Sequence, residues 1–143
     1  MHIQHLRVKE EGMNRFFGPL EARIMTILWA KQSATIREVQ LLLEKDHPLS
    51  FNSVMTVMNR LIEKGHLSKS SVGKGRGKTT IFKPVQTQEQ FVQAQTRAVA
   101  TGLINEFGDM VVNHMVEAME DADPGLLERL ELKLHEMKER RKS

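Results

Sequence analysis

Ser50-Phe-Asn-Ser-Val-Met-Thr-Val-Met-Asn-Arg-Leu-Ile-Glu-Lys-Gly65 is followed by His66-Leu-Ser-Lys-Ser-Ser-Val72, Gly73-Lys-Gly-Arg-Gly-Lys78 and Thr79-Thr-Ile-Phe-Lys-Pro84. In the first run, Phe51, Val54, Met58, Leu61 and Ile62 recur at helical spacing and would seat one face on a core. Asn52, Ser53, Met55, Thr56, Asn59 and Arg60 are then left for a partner. Short donors and acceptors on a helix suit the edges of bases in a DNA major groove, and an arginine suits either phosphate or guanine. A merely solvated amphipathic helix has the same pattern, so the runs that follow must decide. Gly65 is a natural helix stop, and two runs rich in β-branched and hydroxyl residues then flank a glycine-dense turn, the pattern of a hairpin. The charged residues between His66 and Pro84 are Lys69, Lys74, Arg76, Lys78 and Lys83, with no acid among them. Helix, stop and basic hairpin in that order point to a helix that reads bases beside a wing that follows phosphate.

Upstream, Gly18-Pro19 opens a first helix with proline at its first position and Leu20, Ile24, Ile27 and Leu28 as its buried stripe. Thr35-Ile-Arg-Glu38 is a capping box that starts a second helix, buried through Ile36, Val39 and Leu43 and ending near Asp46-His-Pro48. Ser50 caps the third. Three helices with short connections and a hairpin make a winged helix-turn-helix over residues 18–86. Residues 1–17 carry no periodicity and read as a flexible extension, with Met13 an alternative start.

Downstream, Thr87-Gln-Glu-Gln90 is a second capping box, opening a helical region over residues 87–143. Its apolar positions include Leu103, Phe107, Val111 and Met115, and Gly102 and Gly108 mark expected breaks or close-packing points. Asp123-Pro124 opens a last helix with Leu127, Leu130, Leu134 and Met137 spaced three and four apart. A segment this short cannot hide so many apolar side chains within itself. They are expected to form a dimerisation surface, although packing back on the winged domain would also cover them.

The chain of 143 residues is 40% hydrophobic and 27% charged, with a formal net charge of +3, which suits an anionic partner. It has no cysteine, so disulfides, thiolate metal sites and cysteine nucleophiles are excluded. The opening residues lack a signal-peptide core and no apolar run has spanning length, so the expectation is a cytoplasmic protein without membrane insertion. His2 and His5 would hold a metal weakly at most; His47, His66, His114 and His135 are scattered without a nucleophile or base partner. Gly73–Lys78 lacks the glycine-lysine-serine/threonine spacing of a phosphate loop. No catalytic site, metal or cofactor is expected.

Gly18-Pro19-Leu20-Glu21 with Ile24-Met25 and Leu28-Trp29, the run Ser53–Gly65, and Ile81-Phe82-Lys83-Pro84-Val85 resemble the penicillinase and methicillin-resistance repressors over roughly residues 17–138. The resemblance implies a homodimeric winged-helix repressor on a palindromic operator, controlling a β-lactamase or other resistance gene. By it, Asn52, Ser53, Met55, Thr56, Asn59 and Arg60 face bases, while Lys69, Lys74, Arg76 and Lys78 meet phosphate. Leu103, Phe107, Val111, Met115, Leu127, Leu130 and Leu134 lie in the helical dimerisation region. It also implies a membrane sensor protease that cuts between an asparagine and a phenylalanine in those helices. The corresponding pair here is Asn113-His114, which departs at its second residue, and the C-terminal cysteines of the related copper-responsive repressors are missing. Two other readings share the architecture. One is a protein-interaction module using Met55, Met58 and the patch from Met110 to Met119; the other is a ligand-responsive regulator with an effector pocket between its two regions.

Overall fold

The computed structural model describes residues 6–7 and 9–142; His2 and His5 therefore lie outside the described residues. A short 3-10 turn, Gly12–Arg15, precedes α1 (Pro19–Lys31), α2 (Ile36–Leu43) and α3 (Phe51–Glu63). The hairpin strands β1 (Leu67–Val72) and β2 (Thr79–Pro84) follow, then α4 (Gln88–Glu120) and α5 (Pro124–Lys142). The chain divides into two compact units, one up to Ala98 and one from Val99.

Local chemistry sets the element ends in the first unit. Pro19 occupies the first turn of α1, where its missing N–H leaves no bond unmade. The Thr35 hydroxyl accepts from the Glu38 N–H at 3.1 Å while the Glu38 carboxylate accepts from the Thr35 N–H at 3.1 Å, so the capping box is complete. Ser50 accepts from the Ser53 N–H at 3.1 Å at the start of α3. Beyond α3, Gly65 takes φ +84°, the left-handed turn that frees the chain to enter β1. α2 ends at Leu43, three residues before the expected Asp46, because the Leu43 carbonyl accepts from the Asp46 and His47 N–H groups in a closing turn.

The core of this unit joins Ile24, Met25 and Leu28 of α1, Val39 and Leu43 of α2, and Val54, Met58 and Leu61 of α3. Phe82 of β2 is 1% exposed among them. The strands pair antiparallel, Leu67 opposite Pro84 and Val72 opposite Thr79. A bridge absent from the sequence expectation ties this hairpin to the helices: Ala34 and Phe82 exchange N–H···O bonds of 3.0 and 2.9 Å. The wing is thereby anchored at its base while its tip projects.

Three expectations are corrected. Residues 1–17 are not uniformly an extension, since Phe17 is 3% exposed in the core and Phe16 and Met13 pack against it. Phe51 does not join the buried face of α3; it is 40% exposed at the first helical position, where Arg37 lies over its ring at 5.7 Å, and Val57 is buried in the core. The winged unit extends past residue 86 to Ala98, because Phe91 and Ala98 on the first turns of α4 are buried at 2% and 3%. Periodicity misplaced Phe17 because a single aromatic ring before a helix has no period to read.

α1 closes on Gln32, a non-glycine residue at φ 71°, ψ −26°. A side chain in this left-handed region crowds its own backbone, at about 1 kcal/mol. Gln32→Gly is therefore expected to raise the unfolding free energy by about 0.5–1 kcal/mol, read as a higher denaturation midpoint at unchanged m-value. A lower midpoint would show that the carboxamide makes a stabilising contact that outweighs the strain.

In the second unit, α4 continues through Gly102 and kinks at Phe107 (φ −134°, ψ 32°), so of the two glycines only Gly108 adjoins a break. The Thr87–Gln90 capping box that opens α4 is complete, with bonds of 2.9 and 3.1 Å. The Asp123 carboxylate accepts from the Gly125 N–H at 3.0 Å at the start of α5.

Candidate nucleic-acid interface

The outward face of α3 is built from the residues its sequence pattern singled out. Asn52, Ser53, Thr56 and Arg60 are exposed, and Met55 and Asn59 are half-buried beside them. Burial of Val54, Val57, Met58 and Leu61 fixes the rotation of the helix, so the six share one accessible side. Two hydroxyls are already oriented. Thr56 donates to the Asn52 carbonyl at 2.9 Å, leaving its lone pairs outward as an acceptor. Ser50 donates to the Ser53 hydroxyl at 2.9 Å, which leaves the Ser53 proton free.

Asn59 and Lys69 connect helix to wing. The Lys69 ammonium donates to Asn59 Oδ1 at 3.5 Å, a contact that leaves the amide's NH₂ donors unused. Lys69 sits at the foot of the hairpin, whereas Lys74, Arg76 and Lys78 occupy its exposed tip. Among the described residues none of these three cations has a carboxylate partner. The turn needs Gly73 for shape as well as for φ (+95°): a Cβ there would lie 2.7 Å from the Gly77 carbonyl oxygen. The result is a narrow, uncompensated cationic finger beside a polar helix face, a geometry that can meet a duplex through both groove and phosphate. Arg37 was not singled out by the sequence; it stands beside the start of α3, over the Phe51 ring. Its position after the Thr35 cap was the available signal, since the first turn of α2 faces the same side as the start of α3 in a helix-turn-helix.

His66, between α3 and β1, is half-buried in an aromatic cluster, 4.9 Å from the Phe17 ring and 5.6 Å from the Phe91 ring. Burial, reinforced by the nearby Lys64 charge and opposed by Glu21, holds its proton affinity below the ordinary histidine range. The unfolded chain therefore binds this proton more readily than the folded one. The contribution of His66 is full above about pH 6.5 and declines as pH falls through the lowered native value. Thermal midpoints are expected to drop between pH 7 and 5, and His66→Gln to flatten that slope. A midpoint that climbs on acidification over this window contradicts the assignment.

From Val99 onward no described residue is buried. Leu103, Phe107, Val111 and Met115 line a single apolar concavity along α4 with Met110, His114 and Ala118. Phe107 and Met115 are 46% and 47% exposed. Leu127, Leu130 and Leu134 lie on α5, Leu130 half-buried and the other two exposed. Asn113 and His114 are exposed in mid-helix, the imidazole 3.3 Å from Glu117. Among the described residues no His, Asp and Glu cluster could hold a metal, and no helix is long and apolar enough to cross a membrane.

The family model described as penicillinase repressor matches residues 17–136. No curated protein matches the chain. Among solved structures, a PadR-like transcription factor from Bacteroides fragilis is 24% identical, covers 68% of this chain and 90% of its own, and superposes with a TM-score of 0.47. A transcriptional regulator homologue from Pyrococcus horikoshii OT3 is 20% identical, with 60% and 84% covered and a TM-score of 0.44. A possible transcriptional regulator from Methanosarcina mazei Go1 is 15% identical, with 71% and 78% covered and a TM-score of 0.48.

Proposed function

The chain belongs to the penicillinase repressor family of winged-helix transcriptional regulators, and from that premise we propose that it silences its target as a homodimer on a palindromic operator. The exposed polar face of α3, continuous through Asn59 and Lys69 with the unpaired cations of the wing, carries this reading. Arg60 and the small polar residues of α3 read bases, while Lys74, Arg76 and Lys78 neutralise phosphate without regard to sequence. A second copy covers the apolar face that begins at Leu103, which places two α3 helices at two half-sites. Bound there, the dimer blocks transcription of a β-lactamase or another resistance determinant. Release would follow from loss of the dimer; a sensor protease acting at Asn113-His114 would first have to open the α4 backbone, because proteases cleave extended chain.

Selection from random duplex DNA, followed by titration of the enriched site and a scrambled one at several salt concentrations, tests the proposal. The expected product is a palindrome with half-sites about one helical turn apart, or a multiple of it, bound at least about a thousandfold more tightly than the scramble. Arg60→Ala is expected to cost about 1–3 kcal/mol on the selected site alone. Lys74→Ala is expected to weaken both sequences alike and to lower the salt slope by about one. Equal losses on both sequences for both variants would dissolve the division of labour, and an unenriched pool would remove the operator.

A further inference from the structure

Apart from the DNA-facing surfaces, the winged unit carries a cleft of about 480 Å³ where the end of α1, the end of β2 and the start of α4 meet. Its volume falls in the range of small-molecule sites. Trp29, Pro84 and Val85 form the apolar wall, and Val85 is 59% exposed there although its own N–H is held by the His66 carbonyl at 3.0 Å. Gln32, Gln86 and Gln88 stand around it, and among the described residues none of their three carboxamides has a hydrogen-bond partner in the protein. Among the described residues no ionisable side chain lines the cleft. Gln32 is also the residue held in the left-handed conformation that glycine would occupy without strain. A strained glutamine kept at the rim, two further unpaired amides and an exposed apolar wall form a recognisable set.

We propose that this cleft binds a small, uncharged, planar ligand carrying an amide or lactam group. An apolar ring would cover Val85 and the accessible edge of Trp29. Carboxamides supply both a donor and an acceptor, so they match an amide in complementary pairs. A charged ligand would lose hydration there with no countercharge to replace it. Occupancy would brace the wing where β2 leaves it, because Val85 and Gln86 follow Pro84 directly. The inference rests on the winged unit alone and is independent of the operator and of the dimer.

Trp29 is the only tryptophan in the chain, so a ¹⁵N-labelled sample has one indole N–H signal, and that group donates to the Gln86 carbonyl at 3.1 Å beside the cleft. Full-length protein is titrated with benzamide, and in parallel with its charged isosteres benzoate and benzamidine. The expected result is a saturable millimolar shift of the indole signal with benzamide, and at least several-fold weaker binding of both ions. Gln32→Gly, which should fold at least as well as the parent, is expected to weaken benzamide several-fold, and Val85→Glu, at an exposed position, to weaken it more. Non-saturating shifts, equal response to all three probes, or unchanged affinity in both variants would overturn the assignment.

Discussion

Phe82→Ala is expected to destabilise the winged unit by about 3–5 kcal/mol, the largest single effect in that unit. The ring is 1% exposed and belongs to the core that α1, α2 and α3 share. Its backbone makes both bonds of the bridge to Ala34, so the residue that fills the core also fixes the base of the wing. Deleting the ring leaves a cavity that the surrounding helices close only in part. With stabilities of about 5–15 kcal/mol typical of whole domains, much of the protein should unfold at temperatures the parent tolerates. Urea denaturation followed by circular dichroism measures the loss, and Thr79→Ala at the exposed end of β2 serves as the near-neutral comparison. A cost below about 1 kcal/mol would mean that the core collapses around the gap and that Phe82 does not organise the wing.

On the proposed homodimer, Phe107→Asp is expected to yield monomers and to lower affinity for the proposed operator by a factor of about 10² or more. Phe107 lies in the concavity that Leu103, Val111 and Met115 also line, and among the described residues none from Val99 onward is buried. A carboxylate at that point would be desolvated without a partner if a second copy covered the groove. Left uncovered, the same carboxylate would stay in water and cost little. Sedimentation velocity separates these outcomes directly, and an unchanged helical signal shows that the variant still folds. A parent that sediments as a monomer would remove the homodimer from the proposal, and a variant that remains dimeric would place the self-association surface elsewhere. The affinity loss should be absent on a single half-site, since linkage of two binding events disappears there from the start.

Local signals were legible because they act within a few residues. The Thr35–Glu38 and Thr87–Gln90 boxes, the Ser50 cap and the Gly65 stop all bond or turn within their own segments. The accessible face of α3 was legible for the same reason, since Val54, Met58 and Leu61 set the rotation of the helix and leave Asn52, Ser53, Thr56 and Arg60 outside. Phe51 broke the pattern because periodicity weights all apolar residues equally, whereas the first turn of a helix can project beyond the core it enters. The aromatic cluster was invisible for a different reason. Phe17, Trp29, His66 and Phe91 lie far apart in sequence, and only folding stacks the Phe17 and Phe91 rings 5.0 Å apart.

By itself the sequence determined the order of elements, their caps, the basic wing and the accessible face of α3, all of which follow from spacing and short-range hydrogen bonding. The tertiary structure alone decided that Phe17 and Phe91 belong to the winged core, that Ala34 bridges the hairpin at Phe82, and that Lys69 meets Asn59. It also decided which amides gather around Val85. These are contacts between segments, and long-range contacts depend on how several buried faces satisfy one another at once, which no local period encodes.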